Sequence, residues 1–209
     1  MKDKFTIRDK MVIELHKIIS YIGSHGKPED KFGLSFLIAC KDSEEWIQRS
    51  ILSVVNVADE VIVVDGSIGN ETEEIVKNLH QPKVKYFKSS NKNKQGYWDG
   101  FVQDLNFGLS QCSFRWVFKW DADMVAETVG LNVWYERLKA LNPRYFYEVD
   151  VARVNPCKGL DFGGYEGRLF TKHNSINYKW IPDRDSIVYP FWYRLLRWDE
   201  QFILHLNPK

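Results

Sequence analysis

The chain has 209 residues, 44% apolar and 27% charged, values that exclude an intrinsically disordered segment and fit one ordinary domain. Lys and Arg total 29 against 28 Asp and Glu, a net charge of +1, which excludes a broad basic face of the kind that binds nucleic acid. Aromatic residues make up 15%, with seven in residues 1–96 and 24 in residues 97–209, so the second part needs flat apolar surfaces for a core, a ligand or a membrane.

In chain order, Met11, Leu15, Ile18, Ile19 and Ile22 follow a helical period that Gly23, Gly26 and Pro28 end, which predicts an N-terminal accessory helix within residues 1–30. Leu34 to Cys40 predicts a buried strand. Asp42 or Ser43 suits a cap for the next helix, Glu44 and Glu45 its first turn, and Ile47, Ile51, Val54 and Val55 its buried stripe. A second strand runs Glu60 to Val64 and ends at Asp65. Asn70 with Glu73 then reads as a capping pair for a helix through Ile75, Val76 and Leu79 that stops before Pro82. Val84 to Phe87 is a third strand, and Phe101, Leu105 and Leu109 mark a third helix. Arg115 to Trp120 is a fourth strand, ending at Asp121. Strand and helix alternate three times, the pattern of a parallel α/β sheet. Beyond Asp121 the grammar changes: residues 129–141 read as helix, 145–154 as strand, and Phe162 to Tyr189 as short strands and loops.

No apolar run approaches the ~18 residues of a membrane span. The charged start, Met1 to Phe5, predicts no signal peptide, and Cys40, Cys112 and Cys157, odd in number and far apart, read as structural thiols of a cytoplasmic protein. No GxGxxG, P-loop or GxSxG signature occurs.

In an open α/β sheet, ligands bind outside the carboxyl ends of the strands. Lys41-Asp42, Asp65 and Asp121 stand at three such ends, and Asp121-Ala122-Asp123 can turn two carboxylates toward one ligand. Hard oxygen donors suit Mg²⁺ or Mn²⁺ beside substrate phosphates. A chain with 15 Asp yields about one D-x-D by chance. Two occur, the second being Asp183-Arg184-Asp185, so the pattern alone carries nothing and its place after an apolar strand decides.

Three blocks, in matching order and spacing, carry a family resemblance: Ser35 to Glu44, Ala58 to Ser67 with Thr72, and Asn106 to Leu109 followed by Trp116 to Asp123. The run from Leu34 to Val125 resembles the family-2 nucleotide-sugar glycosyltransferases of GT-A fold, with the nearest likeness to lipopolysaccharide-core-type enzymes. The resemblance implies an α/β, GT-A-like single domain over residues 31–209: a mostly parallel nucleotide-binding sheet flanked by helices (31–125), then a more irregular α+β acceptor half (126–209). It departs from the family at Asp42-Ser43, in a second block shorter by a residue, and at Leu105, where the family's Arg would supply a cation near the diphosphate. Lys41, Lys92, Lys94 or Arg168 stand as substitutes.

The implied activity is metal-dependent, inverting transfer of a sugar from a nucleoside-diphosphate sugar, a UDP-sugar by default, to a hydroxyl of a glycan or lipid-linked acceptor. Backbone near Ala39 to Lys41 would line the base, Asp65 would contact base or ribose, and one of Lys41, Lys92, Lys94 and Arg168 the diphosphate. Asp123 would bind the Mn²⁺ or Mg²⁺ with help from Asp121, and late His205 would approach it. The general base is expected at Asp183, then Asp185, with Glu166 and Asp161 behind them. Phe191, Leu195, Trp198 and Phe202 have helical spacing, so 189–198 stands as a helix for the core or for peripheral membrane contact, and a further domain after residue 209 is expected. The competing readings are a sugar nucleotidyltransferase, which needs a Gly-rich loop that Cys40 to Ser43 does not supply, and a non-catalytic glycan-binding module.

Overall fold

A computed structural model describes residues 31–90, 97–155, 161–181, 184–200 and 202–206, with Met11 and Leu15, both helical. The remainder of the expected accessory helix lies outside the described residues, as do Lys92, Lys94, Cys157 and Asp183.

The N-terminal half alternates β1 (Leu34–Cys40), α1 (Ile47–Val54), β2 (Glu60–Asp65), α2 (Glu71–Asn78), β3 (Val84–Lys88), α3 (Tyr97–Gln111) and β4 (Trp116–Trp120). β1, β2 and β4 are buried at every residue, as central parallel strands covered on both faces must be. Leu34, Phe36 and Ile38 enter the core cluster on one face of the sheet, and Leu37 and Ala39 that on the other. After β4 come β5 (Met124–Ala126), α4 (Thr128–Ala140), β6 (Tyr147–Asn155), β7 (Asp161–Thr171), β8 (Asn177–Ile181), β9 (Arg184–Val188), β10 (Arg194–Trp198) and β11 (Ile203–His205). Nine strands form one sheet in the order β3-β2-β1-β4-β7-β6-β11-β5, with β10 also on β6, while β8 and β9 form a separate hairpin. β1 to β4 are parallel, and β7 runs antiparallel to β4 and β6, so one continuous sheet joins the two halves.

Several local expectations are corrected. Neither helix has a side-chain cap: the N–H groups of Trp46 and Ile47 both bond to the Ser43 carbonyl, so the chain turns before α1 begins, and Asn70 and Glu73 form no capping pair. Glu71, Glu73 and Glu74 do oppose the α2 dipole. Segment 189–198 is a turn leading into strand β10, with no helix. Tyr193 and Trp198 are buried, Arg194 stacks on Tyr145 and Arg197 pairs with Asp150, so the amphipathic-helix argument for membrane contact is removed. β7, at 11 residues, is longer than the short strands expected. No helix among the described residues is long and apolar enough to cross a membrane. Cys40 and Cys112 are buried free thiols, and burial pushes both up, Cys112 to about 12, so they stay protonated.

Candidate functional site

The register aligns three strand ends on one edge: Cys40 stands opposite Asp65, and Ile38 opposite Trp120. At the β1–β2 end, Asp65 is wholly buried, and both carboxylate oxygens are engaged within the protein. Oδ1 accepts the Ser67 N–H at 2.8 Å and the Ser67 hydroxyl, while Oδ2 accepts the Tyr86 hydroxyl at 2.7 Å and the Lys88 ammonium at 3.0 Å. Burial alone would raise its pKa, but these donors outweigh it and hold the carboxyl below its usual value. Asp65 therefore shapes the 66–69 turn, and does not present its carboxylate to a ligand as the sequence suggests. The turn in turn holds the loop after β1: the Ser67 hydroxyl accepts from the Asp42 N–H at 2.7 Å, and Thr72 Oγ1 from the Ser43 N–H at 3.3 Å. Asp42 has a positive φ of 48°. With those donors taken, this loop is poorly suited to cradle a triphosphate, which weighs against the nucleotidyltransferase reading. Ala39 is buried in the core and Lys41 is half-buried at the rim of the edge.

At the β4 end the charges converge. Asp121 lies 2.9 Å from Arg168 Nη2 and 3.3 Å from Lys119 Nζ. Lys119 also reaches Asp185 at 2.9 Å, and Arg168 pairs with Glu166. Burial would weaken the Arg168 charge, but the carboxylates of Asp121 and Glu166 reverse that and raise its pKa above the usual value. Arg168 owes its aim to a β-bulge. Val149 pairs with Leu169 but Asp150 pairs with Gly167, so Arg168 is the extra residue and both it and Gly167 turn to the same cavity. That cavity, of about 310 Å³, is walled by Lys119, Glu148, Arg168, Asp185 and three tyrosines, Tyr165, Tyr178 and Tyr189. The β8–β9 hairpin closes it, held by Asn106 of α3, whose amide accepts the Tyr178 N–H at 2.7 Å and donates to the Tyr178 carbonyl at 3.0 Å.

The fold thus brings Asp121, Arg168 and Asp185 together and keeps Asp65 apart from them in the interior. Asp183 and the side chains of Asp161 and His205 lie outside the described residues. Sequence reasoning missed Lys119, Glu148 and the clasp by Asn106. The available signal for Lys119 was a lone charge within the otherwise apolar Trp116 to Trp120. As for a divalent cation, no cluster of three acidic, His or Cys side chains stands among the described residues. Asp123 is partly exposed, and β11 pairs with β5 so that His205 is opposite Met124 and the Leu206 N–H bonds to the Asp123 carbonyl at 2.7 Å. Asp123 is a hard oxygen donor of the kind that divalent cations take, and the Asp121 carboxylate is engaged by two cations.

Residues 35–147 match Glycosyl transferase family 2. An uncharacterised glycosyltransferase of Rickettsia typhi is 36% identical over 90 residues, 43% of this chain and 27% of that protein. Poly-beta-1,6-N-acetyl-D-glucosamine synthase of Staphylococcus epidermidis is 29% identical over 98 residues, 46% of this chain and 23% of that protein. The matched stretch thus spans about a quarter of the length of these curated relatives. Among solved structures, TarS of S. aureus superposes with a TM-score of 0.58 at 13% identity, over 84% of this chain and 37% of that one, a likeness of fold. A family match over more than half of the chain, on a GT-A-like sheet with its acidic strand ends aligned, makes this chain a member of glycosyl transferase family 2.

Proposed function

We propose that the chain transfers a sugar from a nucleoside-diphosphate sugar, UDP-linked by default, to a hydroxyl of a glycan or lipid-linked acceptor, with inversion and with a divalent cation. The observation that carries this reading is the Asp121–Arg168–Lys119–Asp185 network around a cavity at the carboxyl end of β4. The nucleotide lies along the ends of β1 and β2, and the sugar points toward the cavity. An acceptor hydroxyl oxygen forms the new bond at the anomeric carbon as the bond to the diphosphate breaks. The electron pair leaves with the diphosphate, and the hydroxyl proton passes to a carboxylate. Asp183 and Asp185 are the candidates for that base, and Asp185, on β9, lines the cavity. Arg168 and Lys119 face the charge that develops on the leaving group. A cation held by Asp123 and His205, with Asp121 nearby, would offset the remaining diphosphate charge.

Calorimetry with UDP and Mn²⁺ tests this. Asp123→Ala is expected to weaken UDP binding by at least ~10-fold, and unchanged affinity would sink the metal assignment. Asp183→Asn and Asp185→Asn should each leave UDP binding intact, and the one that abolishes transfer is the base. Full transfer by both would move the base elsewhere.

A further inference from the structure

Glu148 is a carboxyl that none of the roles above uses. It lies on β6, is half-buried and lines the cavity. Its place there depends on the bulge: Gly167, paired with Asp150, lies diagonal to it on β7, and a Cβ at that position would collide with Glu148 Oε1. Two buried polar atoms of the same wall, Arg168 Nη1 and the Tyr178 hydroxyl, have no hydrogen-bond partner among the described residues, although Arg168 is 8% exposed and Tyr178 only 2%. Leaving such groups unpaired costs about 1–3 kcal/mol each, so a ligand hydroxyl that reaches either one relieves that cost.

The chemistry of that ligand follows from the walls. Lys119 and Arg168 are paired with Asp121, Asp185 and Glu166, so beyond the leaving group that those two cations face, the walls favour an uncharged ring. Burial and the nearby Asp150 push Glu148 up to about 8, so at neutral pH it carries its proton and both donates and accepts. Asp150 is itself held by Arg197 of β10 at 3.1 Å. Tyr178 is kept neutral by burial and by Asp185, and Tyr165 and Tyr189 add apolar ring surface. A volume of 310 Å³ stands at the small end of the ~300–1,000 Å³ of ligand pockets, room for one sugar ring and not for a chain.

We propose that Glu148 is a specificity-determining residue: with Arg168 Nη1 and the Tyr178 hydroxyl it forms a subsite that reads the hydroxyls of one uncharged sugar ring. This rests on the transferase reading. The ring belongs to the donor or to the acceptor, and the same experiment separates them. Calorimetry with Mn²⁺ would compare UDP, UDP-glucose and UDP-N-acetylglucosamine, then methyl glucoside and methyl N-acetylglucosaminide added to UDP-saturated protein. For a donor ring, wild type binds at least one UDP-sugar more tightly than UDP. Glu148→Ala loses that increment by ~10-fold with UDP affinity unchanged, as for a lost hydrogen-bonded group. For an acceptor ring, the methyl glycoside binding is what disappears. Glu148→Gln keeps a donor and an acceptor and retains most of the binding, which a merely structural role would not require. Gly167→Ala, which displaces the carboxyl, behaves like Glu148→Ala. Equal sugar-dependent binding in wild type and Glu148→Ala overturns the subsite while leaving the function reading in place. Failure of wild type to bind UDP or any UDP-sugar overturns the function reading, and this subsite with it.

Discussion

At the scale of single residues, two carboxyls show how environment sets role. Asp65 is wholly buried and Glu148 half-buried, and one is ionised and surrounded by donors while the other is proton-bearing and lines a cavity. For Asp65 the folded-state pKa is below the unfolded value of 3.8, so its stabilisation is present above that value and is lost as pH falls through the folded one. Asp65→Asn is expected to lose about 1–3 kcal/mol at pH 7, and the gap from wild type should close below about pH 4. Urea unfolding at pH 7 and pH 3 measures this, and a gap independent of pH would show that the charge is not what matters. The D-x-D carboxylates were legible as residues, but their partners were not. Nothing in the spacing of Asp121 announces that Arg168, 47 positions later, would occupy it.

At the scale of elements, the β8–β9 hairpin is tied to the sheet through α3. Asn106 makes the two backbone hydrogen bonds to Tyr178, and Tyr178 packs on Phe170 with ring centroids 6.4 Å apart. Asn106→Ala leaves a backbone donor and acceptor of Tyr178 without partners, so it should cost about 1–3 kcal/mol and loosen the hairpin that carries Asp185. The expected outcome is faster hydrogen exchange at the Tyr178 amide and a fall in transfer rate. An unchanged Tyr178 amide would refute the clasp. Nearby in α3, Gly108 has a conformation any residue could adopt, but a side chain there would strike Leu37 and Val64, so its absence sets how closely the helix approaches the sheet. The element-level misreading of 189–198 has a simple cause. Phe191, Leu195, Trp198 and Phe202 satisfy a helical period, but the unpaired edge of β6 offers backbone hydrogen bonds, and pairing with Tyr147 to Val151 wins over local periodicity.

At the scale of the molecule, the aromatic excess is largely a core. Trp134 of α4 lies 6.2 Å from the Phe118 ring of β4, 5.5 Å from Trp198 of β10 and 5.4 Å from Phe202, so one side chain bridges the two halves of the sheet. Trp134→Ala should destabilise by about 3–5 kcal/mol, with the two halves still unfolding in one transition because β4 and β7 remain paired. Two separated transitions in urea, one for each half, would contradict the single-sheet account. The three tyrosines that line the cavity are the smaller share.

The sequence by itself determined the strand–helix alternation of the first half, the strand ends that carry Asp65 and Asp121, and the family. These rest on local apolar runs and contiguous blocks, which need no knowledge of distant partners. Only the tertiary structure decided which charges meet. The extra residue in β7 that aims Arg168, the clasp of Asn106 on the hairpin and the place of Glu148 beside Gly167 all depend on register between strands. Register is set by long-range pairing, and a shift of one residue reverses the face that a side chain takes. The near-zero net charge of the whole chain therefore concealed a site built from paired opposite charges, and only their placement in space made it visible.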